Sequence, residues 1–280
     1  MVSFLAVLGL ITSVAAHGHV TSIVVDGIFY EGYDPSYQYD TPAPITVGWK
    51  TPSVLDNGFV APAAYANADI ICHRSATNAM IAAPAKGGSK IELLWTPWPT
   101  SHKGPIIDYL ANCNGPCETV DKTKLKWFKI DELALLDPKP QYGTWSTDVM
   151  IANNNTWTVV IPPTIAPGNY VLRHEIIALH AASQANGAQN YPFCVNLAIS
   201  STGTDKPAGV LGTTFYSAKD PGVMFNIDVA PPIPAYTIPG PPLYSAAVTV
   251  SQVKMPKPTA SASGVAALAN RGVEMKWEVV

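Results

Sequence analysis

Short runs of alternating or β-branched residues, at 19–26, 45–49, 90–96, 126–130, 156–161, 170–179, 194–200 and 224–228, are each closed by proline, glycine or asparagine clusters. Side chains of a strand alternate between faces, and such clusters supply turns, so these runs predict strands. No segment keeps an apolar period of 3.6 residues for long, and 133–136 reads as one helical turn at most. With 26 prolines, 20 glycines and only 13% charged residues, the chain suits short strands on long, stiff loops. The expected fold class is all-β, an antiparallel sandwich. The tyrosine-rich loop 30–44 is long, and long loops on a rigid sandwich are where binding residues gather.

The two ends of the chain stand apart from this pattern. Residues 4–11 form an apolar run too short to span a bilayer, followed by Ser13-Val-Ala-Ala16. Residues 1–16 therefore read as a signal peptide cut after Ala16, although no Lys or Arg precedes the apolar run. Cleavage there makes His17 the first mature residue of a secreted, extracellular protein. From about 250 the composition shifts to Lys254-Met-Pro-Lys-Pro-Thr-Ala-Ser-Ala-Ser-Gly264, which resembles a linker. We expect one domain over 17–250 and a disordered extension over 251–280.

A net charge of −3 with no block of Lys or Arg excludes the electrostatic footprint of a nucleic-acid or anionic-membrane binder. A neutral partner fits better. Four cysteines in an oxidising compartment make two disulfides by one of three pairings. Cys113 and Cys117 flank a tight turn, which leaves Cys72 with Cys194. A zinc site is the rival reading, but the C-x2-C spacing it needs is missing.

A histidine at a free N-terminus can close a chelate through its α-amine and its ring Nδ1, and an amine of pKa about 8 releases its proton readily to a metal. One further imidazole completes an all-nitrogen planar set, which favours copper(II) over zinc. The alternative is that His17 merely follows the leader. His17-Gly-His19 admits another rival, in which the amine, two deprotonated amides and the third residue's ring wrap copper without a fold. His102 lies in the polar loop 96–105 between apolar strands, placed either as a ligand or as an ordinary surface residue. Alternation sets Gln189, Tyr191 and Phe193 on one face, where Tyr191 is either a site residue or a core tyrosine. In Arg173-His-Glu-Ile-Ile-Ala-Leu-His180 the polar side chains demand partners. Arg173 and Glu175 share one face, and His174 and His180 the other. Asn154-Asn-Thr156 is an N-glycosylation sequon in a turn, which predicts a surface glycan on Asn154.

His17-Gly-His-Val, Ser101-His-Lys-Gly-Pro105, Leu172-Arg-His-Glu-Ile-Ile-Ala-Leu-His180, Gly187-Ala-Gln-Asn-Tyr-Pro-Phe-Cys194, and Asp220-Pro-Gly-Val with Ile238-Pro-Gly-Pro-Pro-Leu-Tyr244 occur in that order. Together they resemble the fungal lytic polysaccharide monooxygenases of auxiliary-activity family nine, over roughly residues 17–250. The resemblance implies an immunoglobulin/fibronectin-like sandwich whose long loops form a flat copper-bearing face. It places a histidine brace on His17 and His102, an axial ligand on Tyr191, and hydrogen-bonding partners of bound oxygen species on His180 and Gln189. Arg173 and Glu175 would brace that network. Tyr244 would rest on the glucan, with Tyr33 and Tyr37 matching in character only, and the family disulfides correspond to the pairs above. The implied activity is oxidation of cellulose or a related β-glucan at C1 or C4, with one copper ion, O2 or H2O2, and an external electron donor, by a monomer. A hydrolase, which needs two carboxylates, and a non-catalytic copper- or polysaccharide-binding wall protein are the competing classes.

Overall fold

A computed structural model describes residues 17–253 and 257–262. The expected signal peptide and residues 263–280 lie outside the described residues. The strands are β1 (Val20–Val25), β2 (Ile28–Glu31), β3 (Ala83–Lys86), β4 (Lys90–Trp95), β5 (Ile106–Asn112), β6 (Lys126–Leu133), β7 (Leu135–Asp137), β8 (Thr144–Trp145), β9 (Thr156–Val160), β10 (Gly168–Ala178), β11 (Gln189–Ser200), β12 (Val210–Leu211) and β13 (Ala260–Ser261). Two short helices, α1 (Asp69–Cys72) and α2 (Ser146–Ala152), interrupt the loops.

One sheet runs β13-β2-β1-β4-β9, the other β12-β6-β5-β10-β11-β3, and β7 with β8 form a separate hairpin. The two together make the expected sandwich. Pairing is antiparallel except at two edges, where β3 joins β11 and β13 joins β2 in parallel. Alternation builds the inter-sheet core: Ile23, Ile91, Leu93 and Trp157 from the first sheet meet Leu110, Leu172, Tyr191 and Phe193 from the second. A second cluster, including Trp49, Ile71, Tyr109, Trp127 and Phe215, lies where loops cover the second sheet's other face. Burial on both faces explains why β10 is buried at every position from Tyr170 to Ala178 rather than alternating.

Two predicted strands are corrected. Segment 45–49 contributes only an isolated bridge, Gly48 to Val195, and 224–228 is a loop whose Phe225 N–H donates to the Ala182 carbonyl at 3.1 Å. Trp49, Phe225 and Ile227 pack these loops onto the second core and Val47 enters the first, while Ile45 and Met224 stay exposed. Residues 133–136 are extended, not a helical turn. The disulfides are Cys72–Cys194 and Cys113–Cys117, each with Cα atoms 5.3 Å apart.

The disordered extension is corrected for the described part of the tail. Gln252 accepts from Thr158 N–H at 2.9 Å and donates to its carbonyl at 2.7 Å, so one side-chain amide acts as a strand partner for β9. Thr259 and Ala262 then donate to the Gly27 and Phe29 carbonyls at the opposite edge. Both open edges of the first sheet thereby gain partners for exposed backbone groups.

Candidate metal centre

The strand ends bring the marked residues together. Val20 pairs with Trp95, Ile106 with Ile176, and Ala178 with Gln189, so the start of β1, the end of β4, the start of β5, the end of β10 and the start of β11 lie at one end of the sandwich. His17 precedes β1. Behind it His19 N–H donates to Thr96 Oγ1 at 3.1 Å, and Thr96 N–H donates back to the His19 carbonyl at 3.0 Å. The 96–105 loop is pinned by Asn155, whose Oδ1 accepts from Trp98 N–H at 2.9 Å, and by Trp98 Nε1–H, which donates to the His102 carbonyl at 2.9 Å.

The rings of His17 and His102 meet edge to face with centroids 5.0 Å apart, and Tyr191 lies 5.8 Å from His17. His180 stacks 3.9 Å from His102, and Trp98 meets Tyr191 at 5.0 Å. The Tyr191 hydroxyl donates to Gln189 Oε1 at 2.7 Å, and the Gln189 side chain also hydrogen-bonds His17. All five residues of the expected centre thus share one cluster. Phe59, which the sequence did not single out, flanks it 6.2 Å from both His17 and Tyr191.

Electrostatics suits a cation. Burial, then the neighbouring His180 and His17, holds the His102 imidazole down at about 3. Burial likewise lowers His17 and His180, while it pushes the Tyr191 phenol upward. Neutral imidazoles are the ligating form. His102 Nε2 is buried without a hydrogen-bond partner among the described residues, which is costly unless something binds it. No group of three or more His, Cys, Asp or Glu side chains able to hold a metal occurs among the described residues. Were the chain to begin at His17, its α-amine would add a donor of another kind to the two imidazoles. These residues fit a copper ion.

The rivals fare differently. His19 cannot lend its amide and ring to a three-residue wrap: its N–H is engaged by Thr96, and its Nδ1 sits 2.8 Å from Asn57 Oδ1. Glu175, the carboxylate a hydrolase would need, is wholly buried away from the cluster. It pairs with Arg173 through two contacts of 2.8 Å and accepts from Asn190 at 2.9 Å. Arg173 in turn binds the Ile70 and Ile71 carbonyls of α1. His174, facing the core, sits between Asp108 at 2.7 Å and Trp95 Nε1–H at 3.0 Å.

Of the three tyrosines expected to meet a glucan, one is buried and two have their hydroxyls engaged by carboxylates. Tyr33 is 5% exposed, with the ring of Tyr37 against it, and Tyr37 is half-buried with its hydroxyl bound to Glu31. Tyr244 bonds Asp205 and Thr164, whose loops adjoin the end of β11 and the start of β10, the opposite end of the sandwich. Its ring packs against Phe128 instead. The outward tyrosine of the early loop is Tyr39, 70% exposed, and nearby Leu55 is 49% exposed. The turn Pro35–Tyr39 begins beside Asp34, which comes within 3.6 Å of His19. Nothing in the sequence distinguished Tyr39 from Tyr33 and Tyr37, because exposure in a loop follows no period.

The model of Auxiliary Activity family 9, formerly GH61, matches residues 17–236. The chain belongs to this family. It is 64% identical over 259 residues to AA9 family lytic polysaccharide monooxygenase I of Botryotinia fuckeliana, covering 92% of this chain and 96% of the relative. It is 55% identical over 260 residues to the AA9 family lytic polysaccharide monooxygenase cel61A of Hypocrea jecorina, covering 91% and 74%. Among solved structures, the extended catalytic domain of H. jecorina LPMO9A superposes with a TM-score of 0.84 at 56% identity, covering 88% of this chain and 98% of that one. This chain is therefore a lytic polysaccharide monooxygenase, a copper-dependent oxidoreductase that cleaves polysaccharide oxidatively.

Proposed function

We propose that the polysaccharide is cellulose or a related β-1,4-glucan, hydroxylated at C1 or C4 with O2 or H2O2 and electrons from an external donor. The observation that carries the site assignment is the His102 Nε2, buried without a hydrogen-bond partner among the described residues, on a ring that meets that of His17 edge to face. On this reading the leader is cut after Ala16 and the chain is secreted, in keeping with its two disulfides. His17 would hold copper through its amine and ring, and His102 through Nε2. Tyr191, beside the His17 ring, would adjoin the metal as a neutral phenol.

Bound copper supplies the one-electron chemistry that activates the oxidant, which no side chain of this set can do alone. The protein's own residues do the rest. Burial lowers the imidazoles of His17 and His102 and so favours the neutral form that would hold a metal. Gln189 holds the Tyr191 hydroxyl and the His17 ring, and His180 stands exposed beside His102 as a group able to donate to the oxidant. Tyr39 and Leu55 offer apolar surface for a pyranose face, and Asn154, exposed in the turn before β9, would carry the glycan.

Incubation of cellulose with the copper-loaded chain tests this, with and without ascorbate, reading soluble products by mass spectrometry. Oligosaccharides bearing lactone, aldonic acid or C4-ketone ends that require ascorbate are expected. Unmodified ends released equally without a reductant would contradict it.

A further inference from the structure

Between His102 and His180 the chain makes a contact with α2 that the metal cluster itself does not use. Lys103 extends its ammonium to Asp148, with Nζ 2.7 Å from Oδ1 and 2.8 Å from Oδ2. The Lys103 carbonyl accepts from Leu179 N–H at 2.8 Å, the residue before His180. One residue thus adjoins His102 along the chain, adjoins the His180 segment through its backbone, and is tied to α2 through its side chain.

The grip is continued by its neighbours. Thr147 Oγ1 accepts from Gly104 N–H at 3.2 Å, and Ser146 Oγ donates to the Gly104 carbonyl at 2.9 Å, both side chains being buried. Gly104 also lets the loop pass close to β10, since a Cβ there would stand 1.9 Å from the Ile177 carbonyl. Asp148 is anchored in its own right, because its Oδ2 accepts from Trp145 N–H at 2.8 Å at the start of the helix. Its carboxylate is therefore pre-set before Lys103 arrives. An ion pair with both oxygens engaged, partly shielded at 19% and 26% side-chain exposure, restricts geometry more than an exposed pair does.

We infer that Asp148 is a positioning residue of the metal centre, acting through Lys103 to hold His102 and His180 at their mutual spacing. This rests on the copper reading of the same cluster. Residues that orient a ligand without touching the metal commonly alter affinity about 10- to 100-fold when removed. Here the lever is steric and angular: with the ion pair gone, Gly104 and the backbone carbonyls of His102 and Lys103 keep their partners, but the Lys103 side chain no longer ties the residue after His102 to α2, so the His102 ring samples a wider range of orientations.

The test uses the chain beginning at His17, titrated with copper(II) and examined by electron paramagnetic resonance. Asp148→Ala is expected to lower copper(II) affinity about 10-fold and to split or broaden the copper signal into more than one species. Lys103→Met, which keeps the aliphatic stem, should do the same, and the double variant should be no worse than either alone, as coupled residues require. Asp148→Glu should restore a single species in part. If Asp148→Ala melts earlier yet keeps the wild-type spectrum and an affinity within about twofold of wild type, the ion pair serves the fold alone and the inference is overturned. Additive losses in the double variant would overturn the route through Lys103. If the wild-type chain itself shows no nitrogen-ligated copper(II) signal, the copper reading fails first and this inference with it.

Discussion

Tyr191 separates a structural from a metal-site role at the level of one hydroxyl. It is fully buried, and burial raises its phenol so that it stays neutral at any working pH. Tyr191→Phe should retain copper and lose on the order of 1 kcal/mol with the Gln189 hydrogen bond. The copper(II) resonance parameters should change and glucan oxidation should slow; a wild-type spectrum and rate with lowered stability would mark Tyr191 as a core residue only. His102→Ala should abolish tight copper binding by calorimetry while His17 and His19 remain, and undiminished affinity would reject His102 as a ligand. A different residue sets the pH response. Burial, then the neighbouring Asp108, raises the Asp131 carboxyl to about 7, against about 4 for an unfolded aspartate. The folded state keeps this proton longer, so the contribution to stability is complete below about pH 4 and is lost as pH rises through about 7. Thermal melts should fall between pH 5 and pH 8, and Asp131→Asn, whose amide oxygen can still accept from Trp157 Nε1–H, should flatten that fall. Equal slopes in both proteins would remove Asp131 as the cause. At this scale the sequence was legible where chemistry is unusual, as at His17 and His102. It was not legible at Tyr39, Phe59 or the Asp108–Asp131 pair, whose meaning comes from which strands become neighbours.

Among the elements, β10 was readable almost whole from its apolar run, whereas β11 was readable only over 194–200, its first half being masked by Gln189, Asn190 and Pro192. β2 was hidden by the start of the tyrosine-rich loop, and β3 by Pro84, which an edge strand tolerates. Segments 45–49 and 224–228 carry strand-like patterns because loops that cover a buried face also need apolar residues. The tail misled for the opposite reason. Its composition is that of a linker, yet Gln252 binds β9 through its side-chain amide, and Thr259 and Ala262 bind β2 and its turn through backbone N–H groups that most residues carry. Deleting residues 251–280 should lower stability by about 1 to 3 kcal/mol, a few net hydrogen bonds, and should increase aggregation through the freed edges of β9 and β2. Denaturant melts and light scattering check this, and an unchanged midpoint with no aggregation would show the tail contacts to be idle.

For the whole molecule, the sandwich gathers histidines from the segment before β1 and from two loops at one end and leaves Tyr39 and Leu55 outward nearby. Tyr39→Ala should weaken retention on cellulose several-fold, as loss of one stacking contact does, without moving the copper spectrum. Retention equal to wild type would shift glucan contact to other loops. The family could be read from five ordered motifs because a metal site constrains residues far apart in sequence, whereas the glucan-facing side chains could not, since surface contact tolerates many arrangements. The central claim is that His17 holds copper through its own amine together with His102. Its most direct measurement is copper(II) affinity, by calorimetry, of the chain beginning at His17 beside one retaining Ala16. The account predicts tight one-to-one binding for the first and a loss of at least about 100-fold for the second, because an amide nitrogen cannot replace the amine. Equal affinity in the two would contradict it.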